Sequence, residues 1–110
     1  MGITKSYIFT SKENKVAKYA KALAHPARIS ILKLLIKKQA CICGDIVNEL
    51  PLAQPTVSQH LKELKNAGII KGSIEGTAIC YCIDEKAIKF LKGFFDNILQ
   101  NLEAKKLNCC

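Results

Sequence analysis

Two nearby prolines, Pro51 and Pro55, place the strongest limit on how this chain can fold. Proline disfavours helical backbone in the residue before it, so Pro51 ends a short helix that is predicted to start around Cys41 to Asp45. Pro55 suits the first turn of a new helix, where a missing N–H costs nothing. The new helix carries an apolar seam and a C-terminal glycine signal: Val57, Leu61, Leu64, Ala67 and Gly68. Two helices separated by about four residues form a helix-turn-helix.

Two helices are predicted before this motif. Thr10 and Glu13 fit a capping box, which starts a helix over about residues 11–24. His25-Pro26 interrupts that pattern, and Pro26 suits the first turn of a second helix that ends near Lys38. The apolar spacing of the second helix predicts four inward residues: Ile29, Leu32, Leu35 and Ile36.

A β-hairpin and a long helix are predicted after the motif. Ile74 and the run from Ala78 to Ile83 flank the turn Glu75-Gly76, so the hairpin forms a wing. Asp84 caps the last helix. The predicted fold class is mainly α with a small β-hairpin wing, a winged helix-turn-helix, in one domain over residues 1–110 with dimerisation helices at both termini.

The last helix carries an apolar stripe at steps of three and four residues, which is typical of two packed helices. Its members are Ile88, Leu91, Phe95, Ile98 and Leu102. The stripe is either part of the chain's own core or a homodimer interface. We favour the interface, because a winged domain of 110 residues has little core of its own to cover so broad a stripe.

The charge predicts a polyanionic partner. The net charge is +8, and residues 1–38 hold nine basic residues and one acidic residue, Glu13. Double-stranded DNA is the simplest such partner, and the lysines of the first helix either contact flanking phosphates or form a solvated face. The N-terminus has no apolar stretch like that of a signal peptide, and no apolar run could span a membrane, so we expect a cytoplasmic protein with no membrane partner.

The second helix of the helix-turn-helix would enter the major groove of DNA. Its exposed polar residues are the candidate contacts: Gln54, Thr56, Ser58, Gln59, Lys62 and Lys65. Glutamine can pair with adenine, whereas the lysines suit phosphates, although these residue types are also ordinary at a helix start. His60 lies between the seam and the exposed face, so it is a candidate for DNA contact or for a packed role. A two-fold dimer predicts an imperfect inverted repeat as target.

Six cysteines form three close pairs, which in a reducing compartment indicates metal binding or redox chemistry more than a disulfide framework. Cys41 and Cys43 are predicted at a helix N-terminus, which favours thiolates and soft, thiophilic ions. Cys80 and Cys82 share one face of a strand, which suits either chelation or simple burial. The adjacent pair at the C-terminus, Cys109 and Cys110, could reach a bound ion or become oxidised.

Four segments together resemble the ArsR/SmtB family of small winged-helix metalloregulatory repressors: residues 23–29, 41–46, 54–62 and 67–70. The resemblance implies a homodimer that binds operator DNA and leaves it when a toxic metal or metalloid binds cysteine thiolates. The Cys-x-Cys of the arsenic-responsive branch maps onto Cys41 and Cys43. That branch often has a third cysteine where this chain has Ile46, so the third ligand is expected from Cys109 or Cys110.

The leading hypothesis is therefore a non-enzymatic repressor of a metal or metalloid resistance operon, induced by As(III) or Sb(III) and needing no organic cofactor. A first alternative keeps the fold and switches it by thiol oxidation or persulfidation that links Cys41 or Cys43 to the C-terminal pair. A second alternative is a thiol or metal-transfer protein that does not bind DNA. The Cys-x-x-Cys motif and βαβ framework usual for such redox proteins do not occur in this sequence.

Overall fold

The computed structural model describes residues 6–38, 42–43, 50–75 and 78–105. A single 3-10 turn, Ser6–Ile8, precedes helices α1, Ser11–Leu23, and α2, Pro26–Lys38. A two-residue strand β1, Ile42–Cys43, is followed by helix α3, Gln54–Ala67. Strands β2, Ile70–Glu75, and β3, Ala78–Ile83, form an antiparallel pair, and helix α4 runs over Glu85–Lys105.

The helix boundaries follow from local capping chemistry. Thr10 Oγ1 accepts a hydrogen bond from the Glu13 N–H at 3.0 Å, and Glu13 Oε1 accepts one from the Thr10 N–H at 2.9 Å, which confirms the predicted capping box. His25 Nδ1 accepts from the Ala27 N–H at 3.1 Å and so caps the start of α2. Asp84 Oδ1 accepts from the Lys86 N–H at 3.0 Å and caps α4, as predicted.

Gly68 joins α3 to the wing in a backbone conformation that favours glycine. Gly68 has φ of 88°, in the left-handed region, and its N–H bonds back to the carbonyls of Leu64 and Lys65. The chain then turns directly into β2, whose Ile74 lies opposite Ile79 of β3. The predicted wing is confirmed. Of its predicted turn, Glu75 belongs to β2 and Gly76 lies outside the described residues.

The strand β1 corrects one expectation about the cysteine segment. A helix was predicted to start around Cys41 to Asp45, but Ile42 and Cys43 are extended and pair antiparallel with Tyr81 and Cys80 of β3. The sheet order is therefore β1-β3-β2. The open edge of β3 supplies backbone partners that a local helical pattern cannot anticipate, and this tertiary pairing overrides helix propensity. Residues 44–49, where that helix was expected to continue, lie outside the described residues.

The core lies between α2, α3, the base of the wing and the first turns of α4. Its most buried side chains are Ile31, Val57, Leu64, Ile69, Ile70 and Cys80. Of the residues predicted inward on α2, Leu35 is buried, but Ile29 and Ile36 are 43% and 64% exposed. Helix α2 carries a second apolar stripe beside the predicted one, and Ile31 of that stripe is fully buried in the core.

Helix α4 packs its first half against α1. The rings of Tyr19 and Phe90 meet edge to face with centroids 5.8 Å apart, and the ammonium of Lys15 lies 4.5 Å from the Phe90 centroid. Ala87 and Leu91 are buried at this junction, whereas the second half of α4 extends beyond it with most side chains exposed. Among the described helices, none is long and apolar enough to cross a membrane.

Candidate functional site

One side of α3 presents a row of polar and cationic side chains to solvent. All six non-histidine candidates for DNA contact are exposed: Gln54, Thr56, Ser58, Gln59, Lys62 and Lys65. Gln59 Nε2 donates to Glu63 Oε1 at 3.0 Å, which orients that amide along the helix. Lys65 leans toward the wing, and a Cβ placed on Gly72 would come within 3.3 Å of its Cε and Nζ atoms. The face therefore continues from α3 onto β2.

The buried side of α3 holds His60, for which DNA contact and packing were both predicted as possible roles. The side chain is 8% exposed, and its Nδ1 accepts a hydrogen bond from Arg28 Nε at 3.1 Å. Burial lowers the pKa of His60 below 6.5, and the nearby His25 and Arg28 lower it further. A neutral imidazole is the form that can accept from a guanidinium. His60 therefore has the packed role: it anchors the buried side of α3 to Arg28.

Arg28 has a structural role that the sequence pattern does not predict. Besides His60, its guanidinium donates from Nη1 to the Ala22 carbonyl at 3.0 Å. The His25 ring completes the group, with its centroid 4.3 Å from that of His60. Arg28 therefore joins the end of α1, the start of α2 and the middle of α3. In the sequence, His25-Pro26 predicts a helix boundary and residues 25–28 belong to a segment that carries the family resemblance, but spacing alone does not show this contact.

The predicted dimer stripe on α4 is divided by the fold. Leu91 is 8% exposed and belongs to the chain's own core, whereas Phe95 is 61% exposed. The other members lie at 40% to 46% exposure: Ile88, Ile98 and Leu102. A depression of about 220 Å³ between the start of α1 and α4 is lined by Val16 and Phe94. Three exposed apolar residues precede α1: Tyr7, Ile8 and Phe9.

The cysteines fall into described and undescribed groups. Cys43 lies in β1 with its Cα opposite that of Cys80, and Cys41 and the pair at 109–110 lie outside the described residues. Cys80 is 1% exposed, Cys82 is half-buried, and each is disulfide-bonded, whereas chelation or simple burial was predicted. Among the side chains that the structure describes, no group of three or more Cys, His, Asp or Glu residues is placed to hold a metal ion.

Comparison with known proteins identifies the family of this chain. The model for bacterial regulatory proteins of the arsR family matches residues 25–71. An uncharacterised HTH-type transcriptional regulator of Methanocaldococcus jannaschii is 42% identical over 83 residues, which cover 74% of this chain and 92% of the relative. The chain belongs to the ArsR family. The resemblance drawn from the sequence is therefore confirmed, and the chain is a transcriptional regulator with a DNA-binding winged helix-turn-helix.

Two further comparisons match a repressor in sequence and a homodimer in structure. The HTH-type transcriptional repressor SmtB of Mycobacterium tuberculosis is 44% identical over 61 residues, which cover 56% of this chain and 44% of the repressor. The solution structure of a homodimeric winged helix-turn-helix domain from Mycobacterium bovis, a possible ArsR-family regulator, has 25% sequence identity and a TM-score of 0.64. That comparison covers 99% of this chain and 97% of the other. The first of these proteins is a transcriptional repressor, and the second is a possible transcriptional regulator.

Proposed function

We propose that this ArsR-family regulator is a homodimeric repressor that binds operator DNA through α3 and leaves it when As(III) or Sb(III) binds cysteine thiolates. The observation that carries the DNA part of the proposal is the exposed polar face of α3 beside the wing. The regulated genes are those of a metal or metalloid resistance operon.

The face of α3 supports two kinds of DNA contact. Gln54, Thr56 and Ser58 lie at the N-terminal end, which in a helix-turn-helix meets base edges. Lys62 and Lys65 lie one to two turns later and suit phosphates, which position the helix and carry no sequence information. Replacing Lys62 with alanine is expected to weaken binding to all sequences and to reduce the salt slope by about one.

The exposed end of α4 supports a homodimer. Phe95 and its neighbours on the stripe would lose their solvent exposure against a second copy, as would the apolar residues before α1. The homodimeric solution structure from Mycobacterium bovis shows that this fold forms dimers in a relative. A two-fold dimer presents two α3 helices to one side of DNA, so an imperfect inverted repeat is the expected operator.

The chemistry of the cysteine segment supports a soft ion as inducer. Thiolate donors prefer thiophilic metals and metalloids over hard cations, and Cys41 and Cys43 are the proposed ligands. Cys43 belongs to a strand that pairs with the wing, so ion binding there would act on an element in contact with the DNA-binding fold. Cys109 and Cys110 remain candidates for the third ligand.

The test is a titration of reduced protein onto a labelled DNA fragment from its own upstream region, followed by fluorescence anisotropy at fixed salt. Arsenite is expected to weaken the wild-type complex at least fivefold, which corresponds to a coupling of about 1 kcal/mol or more. Cys41→Ser and Cys43→Ser are expected to bind DNA without responding to arsenite. Arsenate, which lacks affinity for thiolates, is the ligand control.

Two outcomes would contradict the proposal. Tight DNA binding by the wild type with no response to arsenite or antimonite would exclude these ions as inducers. Binding that is unchanged by Gln59→Ala and Lys62→Ala would remove α3 from the interface. Lys89→Ala is the matched control for those variants, because Lys89 lies exposed on α4 and pairs only with the exposed Glu85 among the ion pairs of the described residues.

A further inference from the structure

The register of the sheet brings cysteines from two distant segments together. Cys43 of β1 lies directly opposite Cys80 of β3, although 36 residues separate them in the chain. Cys82 follows two residues later on β3 and therefore shares the face of Cys80. Cys80 and Cys82 are each disulfide-bonded.

The geometry of an antiparallel pair limits which cysteine can bond to Cys80. Directly opposite residues have Cα atoms about 4.5 to 5.5 Å apart, within the range of about 4.4 to 6.8 Å that a disulfide needs. On the β2 side, the residues opposite Cys80 and Cys82 are Ser73 and Lys71, which cannot form a disulfide. On the β1 side, the residue opposite Cys80 is Cys43.

We propose that Cys80 forms its disulfide with Cys43, so that the wing holds one of the proposed sensor cysteines in an oxidised form of the protein. The inference rests on the proposed function, because it concerns the same cysteine. It deepens that function by naming disulfide formation as the control on this cysteine. It also assigns the redox partner of Cys43 to the wing and not to the C-terminal pair.

A low-molecular-weight disulfide such as oxidised glutathione balances the reaction. One thiolate of the pair attacks this disulfide and releases one glutathione thiolate, which leaves a mixed disulfide on the protein. The second thiolate attacks the mixed disulfide and releases the other glutathione. Two protein thiols lose two electrons and their two protons, and one glutathione disulfide becomes two thiols.

Oxidation changes what the site can bind. A disulfide sulfur carries no thiolate charge, and the thiolate is the form that ligates metals and metalloids. The oxidised protein therefore keeps DNA bound when arsenite is added, and it responds only after reduction. The wing cysteine makes the metalloid response conditional on the thiol redox state.

The bond is mapped on the full chain after equilibration with oxidised glutathione and alkylation of the remaining thiols. Trypsin separates the three cysteine pairs into peptides 39–62, 72–86 and 107–110. We expect mass spectrometry of the unreduced digest to show peptide 39–62 joined to peptide 72–86. Joining of either one to peptide 107–110 as the main product would overturn the inference.

Two double variants test the register. Cys41→Ser with Cys82→Ser leaves the directly opposite pair, whereas Cys41→Ser with Cys80→Ser leaves Cys43 and Cys82, a diagonal pair with Cα atoms about 7 to 8 Å apart. Both proteins carry the same number of thiols in the same peptides. We expect at least tenfold more of the cross-link in the first variant, and equal amounts would overturn the assignment.

The anisotropy assay separates failure of this inference from failure of the proposed function. A reduced protein that responds to arsenite, together with a cross-link elsewhere, leaves the function standing and removes the Cys43–Cys80 bond. If the Cys43–Cys80 bond is mapped but the reduced protein does not respond to arsenite, the bond stands and the proposed inducer is removed. Oxidised wild type that still responds to arsenite as the reduced protein does would overturn the redox condition itself.

Discussion

Replacement of Arg28 by alanine is expected to destabilise the fold through a contact on the buried side of α3. The change removes two hydrogen bonds, from Nε to His60 Nδ1 and from Nη1 to the Ala22 carbonyl. It also leaves the buried Nδ1 of His60 without its donor. Hydrogen bonds that involve a charged group contribute about 1.5 to 3 kcal/mol, and an unsatisfied buried acceptor costs about 1 to 3 kcal/mol.

Because Arg28 is half-buried and water can replace part of the Ala22 contact, we expect a loss of about 2 to 3 kcal/mol in the free energy of unfolding. Urea denaturation at one fixed protein concentration measures this loss, because the stability of the proposed dimer would depend on protein concentration. Arg28→Lys keeps the charge but not the forked geometry, so it is expected to recover less than half of the loss.

A double-mutant cycle locates the energy. Combining Arg28→Ala with His60→Leu removes both partners, so the double variant is expected to lose at least about 1 kcal/mol less than the two single losses together. Lys33→Ala, at an exposed position on the same helix, is the matched control and should change stability by less than about 0.5 kcal/mol. A loss below about 0.5 kcal/mol for Arg28→Ala would refute the role assigned to this contact.

Three further predictions follow from individual residues. The folded pKa of His60 lies below its unfolded value of 6.5, so unfolding takes up a proton when the pH falls below about 6.5. Below that pH, the free energy of unfolding of the wild type should therefore decline more than that of His60→Gln. Urea denaturation at a series of pH values measures the difference. Gly68→Ala should lower the free energy of unfolding by about 1 kcal/mol, because φ is 88° at this position. Gly93→Ala, in the interior of α4 where an added Cβ meets open space, should raise it by about 0.5 to 1 kcal/mol. Equal effects of the two variants would contradict the backbone argument. Phe95→Glu should weaken the proposed homodimer at least about 100-fold, because two aromatic rings would lose burial worth about 1.5 to 3 kcal/mol each. The control Gln100→Glu should leave dimerisation unchanged, and sedimentation velocity measures both variants.

Much of the fold follows from local chemistry that is visible in one sequence. Three kinds of signal act within a few residues: the capping box at Thr10, the first-turn prolines and the left-handed Gly68. They therefore mark helix ends independently of tertiary contacts. The exposed face of α3 follows in the same way, because a helical period separates the buried seam from the polar residues.

Contacts between distant segments required the tertiary structure. Arg28 of α2 meets His60 of α3 although 31 residues lie between them, and Leu91 is buried where α4 packs against the core. Both α2 and α4 carry apolar stripes broad enough to satisfy more than one orientation, so periodicity could not select the buried residues.

The cysteines show this division most clearly. Pairwise spacing identifies Cys41 with Cys43 and Cys80 with Cys82 as sets capable of thiol chemistry, since that capacity belongs to the side chains themselves. Which set meets which depends on strand register, and register is set by which side chains of the two strands are buried together in the fold, not by either segment alone. The sequence therefore establishes the chemistry that is available, and the sheet decides that Cys43 lies opposite Cys80.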